Sequence, residues 1–469
     1  MKTNRRRFLT TLGATASATL LAPSVFDFKL LAGSPFVRPN VATLKATGPI
    51  LTGYSTAITA MQALPANDVR HWNNQAAIHY TTLSPPPGSD WDMCQHGTHF
   101  FWAWHRMYLY WWERIVRKYS GDPSWALPYW NWTANPHLPA PFRMPKIGNP
   151  LYTSNRDSNM NSGAGSIPAT DSAYTLPLSG DFANLDYYSA QSAVESSPHN
   201  VIHGDVGGAT GWMSYIDMAA MDPIFYLHHS NIDRLWDLWL AQGGGRADPT
   251  SDSTWTTQVY NFYDENGATQ SMTPCDILNA AAQLNYKYAG EPAQVTQTCG
   301  VIPIWLFRYI VLLVVPFPTP PIGPDPYIVE VSLANVLPEL QKVLSNPLQQ
   351  VLLELDGVQT AKPPAATWEV YVGLPAGVAP DPTSPFYVGK LGLFGKGVRA
   401  GFPHGFAPAT LRFNATTALA AVVNSGGESA PISFFSKGIV VDGKQLPGNP
   451  QSDVTVTQAV FRVQTRSRQ

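Results

Sequence analysis

Residues 199–203 read HNVIH, and residues 222–236 read DPIFYLHHSNIDRLW. A chain with 11 histidines thus sets two of them four apart and two more side by side inside an apolar stretch. On a helix His199 and His203 share one face a turn apart, so both imidazoles point at a single object, and His229 on another helix supplies a third nitrogen. A second group lies upstream, with His79 in NNQAAIHYTTL and then His96 and His105 in QHGTHFFWAWHRMYLYWWERI. Nine residues is two and a half helical turns, which would point His96 and His105 in opposite directions on one helix. His96 therefore belongs to the loop before the helix and bends back toward His105. Histidines 79, 105, 199 with 203, and 229 then come from four helices, the way bundles build metal sites in their cores.

A lone buried histidine is ordinarily a hydrogen-bonded core residue, but six at ligand-like spacing are not explained that way. Glu113, Asp222 and Asp233 on the neighbouring helices suit a supporting role, as ion-pair partners that hold helices and rings in orientation. A di-iron carboxylate bundle needs Glu ligands and Glu-x-x-His pairs, which are absent around these histidines. A catalytic zinc site usually needs three ligands, and zinc does no redox chemistry. Two facing three-histidine sets offer six neutral nitrogens and no anion, a donor set that suits copper.

The fold class expected is α + β in separate domains: a mainly α, four-helix-bundle dicopper core followed by a C-terminal all-β sandwich. From about residue 35 to 300 the chain reads as helices with long loops. The run from Trp102 to Tyr119 lacks Pro and Gly, and the helix around His229 ends at three glycines. Residues 154–189 turn to Ser, Asn, Gly and Asp, which reads as a long surface loop. The apolar run 301–318 carries Arg308 near its middle, at a cost of roughly 3 kcal/mol for insertion, so it reads as a buried strand rather than a membrane span. With the proline-rich PFPTPPIGPDP after it, residues 301–325 are assigned as a linker. Beyond lie short alternating runs such as TWEVYVGL, FYVGKLGLFG and VTVTQAVFRV, separated by turn residues, which assign 326–469 to the sandwich.

Arg5, Arg6 and Arg7 precede an apolar run, so residues 1–34 resemble a twin-arginine export signal, implying a bacterial chain exported folded to the periplasm or beyond. Without residues 1–33 the formal charge moves from −2 to −6. A mildly acidic protein has no electrostatic footprint for nucleic acid. Three cysteines are too few for a disulfide scaffold; Cys275 and Cys299 are free to pair after export, but spacing does not decide it. Nothing in the sequence sets the oligomeric state.

QHGTHFFWAWHRMYLYWWERI, LPYWNW, SPHNVIHG and DPIFYLHHSNIDRLW resemble the two copper-binding regions of tyrosinases, catechol oxidases and molluscan haemocyanins, the type 3 copper proteins. The likeness runs from about residue 70 to LNYKYAG, which is similar to the Tyr-x-Tyr segment that ends such core domains. It implies one copper held by His79, His96 and His105 and a second held by His199, His203 and His229, with dioxygen as co-substrate. His228 is left as a packing or hydrogen-bonding residue, His71 is the rival of His79, and His99 and His137 are non-ligands. Cys94, two before His96, is implied to be joined to it by a thioether.

By the same resemblance, Glu195 matches an acidic residue that holds a water and Asn200 the amide that helps polarise it, together deprotonating an incoming monophenol. Ile216 falls at the gate above the first copper, where an aliphatic side chain leaves more room than phenylalanine. Small phenols are the implied partners, hydroxylated to o-diphenols and oxidised to o-quinones. The rivals are a catechol or o-aminophenol oxidase without the first activity, and a haemocyanin-like oxygen carrier. The β domain resembles a lid, and the loop GFPHGFAP offers Phe402 or Phe406 as a plug over the site.

Overall fold

The computed structural model describes residues 34–469 except 82, 84–85, 87–88, 173–185, 301–304, 319–321, 323–325, 361–365, 393, 395–408, 439, 442–443, 446–453 and 469. The export signal read at the N-terminus, like Phe402 and Phe406, lies outside the described residues apart from Ser34.

Helices α1 (Pro49–Gln62), α2 (Trp72–His79), α3 (Phe101–Ser120), α4 (Tyr187–Val194), α5 (Asn200–Gly207) and α6 (Pro223–Ala241) form the first part. α3 runs on because nothing in it breaks a helix; it stops at Gly121, whose φ of 76° suits a residue without Cβ. α6 starts where the Asp222 carboxylate accepts the Ile224 N–H at 3.0 Å with Pro223 in the first turn. It ends before Gly243, Gly244 and Gly245, all at positive φ.

Aromatic rings join these helices. Trp112 of α3 stacks on Tyr226 of α6 at 3.6 Å, Trp102 lies parallel to Trp236 at 5.8 Å, and Tyr54 of α1 meets Trp112 edge-on at 5.7 Å. Each such ring removes 150–250 Å² from water, and the pairing adds about 1 kcal/mol beyond burial.

A buried ion network fixes the register of α3 and α6. Arg38, on strand β1 (Phe36–Arg38), donates to Glu113 at 3.0 Å and to Asp233 at 3.1 Å, and Arg106 donates to Asp233 at 2.5 Å and to Asp237 at 2.7 Å. Tyr288, on strand β2 (Tyr286–Tyr288) paired parallel to β1, closes the network on Asp233 at 2.5 Å, as does Tyr286. Both arginines are fully buried, which is tolerable only because every charge is paired. Glu113 and Asp233 are thus ion-pair partners, and Asp222 caps α6 while binding Arg156 at 2.6 Å.

The second part holds two four-stranded antiparallel sheets. Its strands are β3 (Trp305–Pro316), β4 (Tyr327–Val329), β5 (Gln349–Val358), β6 (Ala366–Val372), β7 (Tyr387–Leu391), β8 (Ala409–Asn414), β9 (Ile432–Gly438) and β10 (Gln458–Arg468). The orders are β8-β5-β10-β3 and β4-β9-β6-β7. Alternate residues of both sheets, among them Val351, Leu353, Val370, Val372, Ile432 and Phe461, enter one apolar core.

Two expectations are corrected here. Residues 301–325 do not form a linker throughout, because Trp305–Pro316 pairs along its length with β10. That strand is also not buried: it lies at the sheet edge, with Ile310 at 63% and Val314 at 45% exposure. The β-branched composition was the right signal for a strand, but it does not distinguish a centre from an edge. No helix among the described residues is long and apolar enough to cross a membrane.

Candidate dinuclear metal centre

His79 ends α2, and His71 begins it: the His71 ring accepts the Asn73 N–H at 3.1 Å, so that ring serves as a helix cap. The long connection to α3 returns His96 to the helix it precedes, with its ring 5.1 Å from that of His105 and 5.4 Å from that of His79. Between α4 and α5 the helix is broken by a wide turn, Glu195–His199, with Pro198 inside it and Ser197 extended at φ −153°. That break aims His199 at His203 (4.6 Å between ring centres) and at His229 of α6 (4.9 Å). The two groups face each other, with His105 stacked on His229 at 4.4 Å and His96 on His199 at 5.4 Å.

The nitrogen roles follow from the hydrogen bonds. The Nδ1 atoms of His79, His105 and His203 lie 3.2, 2.7 and 2.8 Å from the carbonyls of Ile216, Phe101 and Met213, and His199 Nδ1 lies 2.9 Å from Asn200 Oδ1. A carbonyl only accepts, so in these rings Nδ1 carries the proton and Nε2 presents a lone pair. Nε2 of His79 and of His105 is buried with no hydrogen-bond partner. Nε2 of His229 lies 3.3 Å from Nε2 of both His199 and His203. Donors about 2.0 Å from one tetrahedral ion lie about 3.3 Å apart, so this spacing fits a shared cation.

Burial holds these rings neutral. Desolvation, then neighbouring histidines, pushes His79, His199, His203, His228 and His229 well below the ordinary range, and desolvation alone takes His105 down to about 3. Neutral imidazole is the ligating form. Each group gathers its donor atoms within 4.8 Å: His79, Cys94, His96 and His105 in one, His199, His203, His228 and His229 in the other. Among the described residues no carboxylate joins either set. The residues therefore fit two coppers held by imidazoles.

Other expected site residues fall as follows. Cys94 Sγ is 2.9 Å from His96 Nδ1, against the ring edge a thioether would use. Glu195, 1% exposed, accepts the Gly97 N–H at 2.5 Å, next to His96. It also lines a cavity of about 200 Å³ with His99, Tyr188, Gln191 and Arg412. Asn200 is engaged at both ends, since its Nδ2 donates to the Gly392 carbonyl at 2.9 Å. Ile216 is buried, and its carbonyl orients His79. His228 is buried at 5.3 Å from the His199 ring, while His137 sits on the surface at the Gly165 carbonyl.

One residue at the centre was missed in the sequence. Phe394, 7% exposed and three residues past the end of β7, lays its ring on His203 at 3.7 Å and 14°, with His96 and His199 edge-on at 5.6 and 5.7 Å. It stands in FYVGKLGLFG, where a strand meets glycines, the same kind of turn-flanked phenylalanine that singled out GFPHGFAP.

Two imidazole clusters set face to face in a helical core form a site fitted to two metal ions. Residues 69–188 and 148–242 match the family described as the common central domain of tyrosinase, and residues 249–297 that described as the polyphenol oxidase middle domain. A tyrosinase from Hahella sp. is 34% identical over 299 residues, 54% of this chain and 62% of its own length. The chloroplastic latent-form polyphenol oxidase of Prunus armeniaca is 32% identical over 308 residues, 58% of this chain and 50% of its own length. The chain thus matches between half and two thirds of each relative. A solved latent aurone synthase (polyphenol oxidase) shares the fold with a TM-score of 0.66 over 92% of this chain and 91% of its own, at 24% identity. These matches support the tyrosinase and polyphenol oxidase family, whose centre is a copper pair working with dioxygen.

Proposed function

We propose that the chain is a type 3 copper oxidase that hydroxylates monophenols and oxidises o-diphenols to o-quinones, exported by the twin-arginine route and held latent by its β domain. The observation that carries the reading is the pair of facing imidazole triads with inward Nε2 atoms. His79, His96 and His105 would hold one copper and His199, His203 and His229 the other, and the pair would supply dioxygen activation and accept electrons from the ring. Per turnover, one monophenol and one O2 give one o-quinone and one water, and two o-diphenols and one O2 give two o-quinones and two waters.

The protein's own share is positioning and proton transfer. The carbonyls of Ile216, Phe101 and Met213 keep three rings in the ligating tautomer. Glu195 takes the phenolic proton through a water that Asn200 polarises, because the phenolate is the better ligand. Ile216, whose carbonyl meets the His79 ring, would serve as the gate beside the first copper. Phe394 occupies the space a phenol ring would enter, and Lys390, on the strand that leads to it, fastens that strand to Asp171 in the helical part. Joining Cys94 to His96 by a thioether would lock the His96 loop.

The test is initial-rate oxidation of catechol and of tyrosine by the copper-loaded full chain, by Phe394→Ala and by Gly392→Ala, which displaces the carbonyl that holds the Asn200 amide. Catechol turnover that rises in the variants, with tyrosine turnover by at least one form, supports the reading. Catechol turnover alone from every form removes the hydroxylase activity, and neither activity together with reversible dioxygen binding makes the chain a carrier.

A further inference from the structure

Among the described residues, two chemically different groups of the β domain reach the histidine rings and Asn200, one of them the ring of Phe394. The other is backbone. Asn200, 3% exposed, keeps its Oδ1 on His199 Nδ1 at 2.9 Å while its Nδ2 donates to the Gly392 carbonyl at 2.9 Å. Ser196 ties the same stretch, donating to the Lys390 carbonyl at 2.8 Å and accepting the Gly392 N–H at 3.4 Å. The approach is so close that a Cβ at position 392 would stand 2.5 Å from the Ser196 carbonyl oxygen and 2.7 Å from Asn200 Cβ. Neither atom belongs to a flexible side-chain end, so neither can swing away. Gly392 has no left-handed backbone to explain it. Glycine is needed there for the contact alone.

The two obstructions act on different things. A ring excludes any phenol by volume. The Gly392 carbonyl takes one of the two N–H groups of the amide that, in the reading above, polarises the water beside Glu195, and with His199 on Oδ1 it fixes that amide's orientation. A monophenol has one phenolic proton and depends on that base to become a ligand. An o-diphenol depends on it less, since its monoanion is stabilised by a hydrogen bond from the adjacent hydroxyl.

We propose that the Gly392 carbonyl sets the substrate choice of the chain: while it holds the Asn200 amide, o-diphenols are accepted and monophenols refused, even with the Phe394 ring removed. The inference rests on the proposed function and goes beyond it by assigning selectivity to a residue that touches neither copper nor substrate. Gly392 is a positioning residue, acting through Asn200.

The experiment uses the copper-loaded full chain and the matched probes 4-methylphenol and 4-methylcatechol, with Phe394→Ala, Gly392→Ala and Ser196→Ala. Phe394→Ala is expected to raise 4-methylcatechol oxidation about tenfold and to leave 4-methylphenol where it was. Gly392→Ala is expected to raise both, so that its monophenol-to-diphenol ratio exceeds that of Phe394→Ala about tenfold. Ser196→Ala, which removes both ties of that hydroxyl and introduces no clash, is expected to move the ratio the same way by about fivefold, the worth of the shorter of the two hydrogen bonds. In the copper-free proteins, amide hydrogen exchange at residues 195–201 should quicken in Gly392→Ala and not in Phe394→Ala. A proportional rise of both activities in Phe394→Ala, or an unchanged ratio in Ser196→Ala, overturns the inference while leaving the proposed function standing. No oxidation of either probe by any variant that holds two coppers overturns the proposed function, and the inference falls with it.

Discussion

Asp233→Asn tests whether the buried ion network, rather than the metal, sets the distance between the two histidine-bearing helices α3 and α6. Asp233 accepts from Arg38 at 3.1 Å and from Arg106, Tyr286 and Tyr288, each at 2.5 Å. Burial pushes its carboxyl up, but the Arg106 and Arg38 guanidiniums outweigh this and hold it below the ordinary range. Asparagine keeps one acceptor oxygen and turns an NH2 toward donors, while Arg38 keeps Glu113 and Arg106 keeps Asp237. Breaking one partner out of a buried set costs about 3–5 kcal/mol. At about 2.1 cal/mol/K of unfolding entropy per residue over roughly 400 residues, that corresponds to a fall in Tm of about 4–6 °C. Thermal unfolding of the copper-free protein at neutral pH reads it. Glu339→Gln, which removes an exposed partner of Lys342, is the control and should shift Tm by less than about 1 °C. A change in Asp233→Asn as small as the control's would refute the assignment. Since Arg106 follows His105 and Asp233 lies one turn past His229, the same variant should also bind copper less tightly.

Three further outcomes are expected. Lys390→Met removes the buried ammonium that bonds Asp171 and lies 3.3 Å from Thr170 Oγ1, weakening lid docking by about 2 kcal/mol; catechol turnover of the full chain should then rise about 30-fold, and no rise would remove that tie from the latch. The site histidines of the copper-free protein should add no pH dependence to its stability above about 6.5. Its histidines are held below their unfolded value, so below that pH the unfolded chain takes protons the fold refuses. Each such ring then costs about 1.4 kcal/mol per pH unit down to its folded value, about 3 for His105. Urea midpoints at pH 7.5 and 5.5 check the sign, and a higher midpoint at 5.5 contradicts it. With the Cys275–Cys299 disulfide in place, a thioether between Cys94 and His96 makes the intact copper-matured protein lighter by four hydrogen atoms than its sequence, and Cys94→Ser is lighter than its own sequence by only two; a loss of only two in the unsubstituted protein denies the link.

The histidine helices were legible because their signals are local. Four-residue spacing, a run free of Pro and Gly, and Asp222-Pro223 as a start each act within one or two turns. The loop position of His96 followed from helical geometry alone. The ion network was partly legible: Glu113, Asp222 and Asp233 stood out, but their partner Arg38 lies 75 residues from Glu113 and 195 from Asp233. What was not legible depends on one domain docking on another. GFPHGFAP and GLFG have the same turn-rich look, and only long-range packing selects Phe394. The same holds for β3, whose pairing partner β10 is over 140 residues away. The Cys275–Cys299 disulfide is present, with Cα atoms 5.7 Å apart, and spacing alone did not decide it.

The most direct test of the account is copper titration of the metal-free full chain, read by metal content and X-ray absorption. Two coppers per chain, each surrounded by nitrogen at about 2.0 Å and each triad losing its ion on substitution of one of its own histidines, is the result expected. A single ion per chain, or sulfur or carboxylate oxygen dominating the coordination, would contradict it.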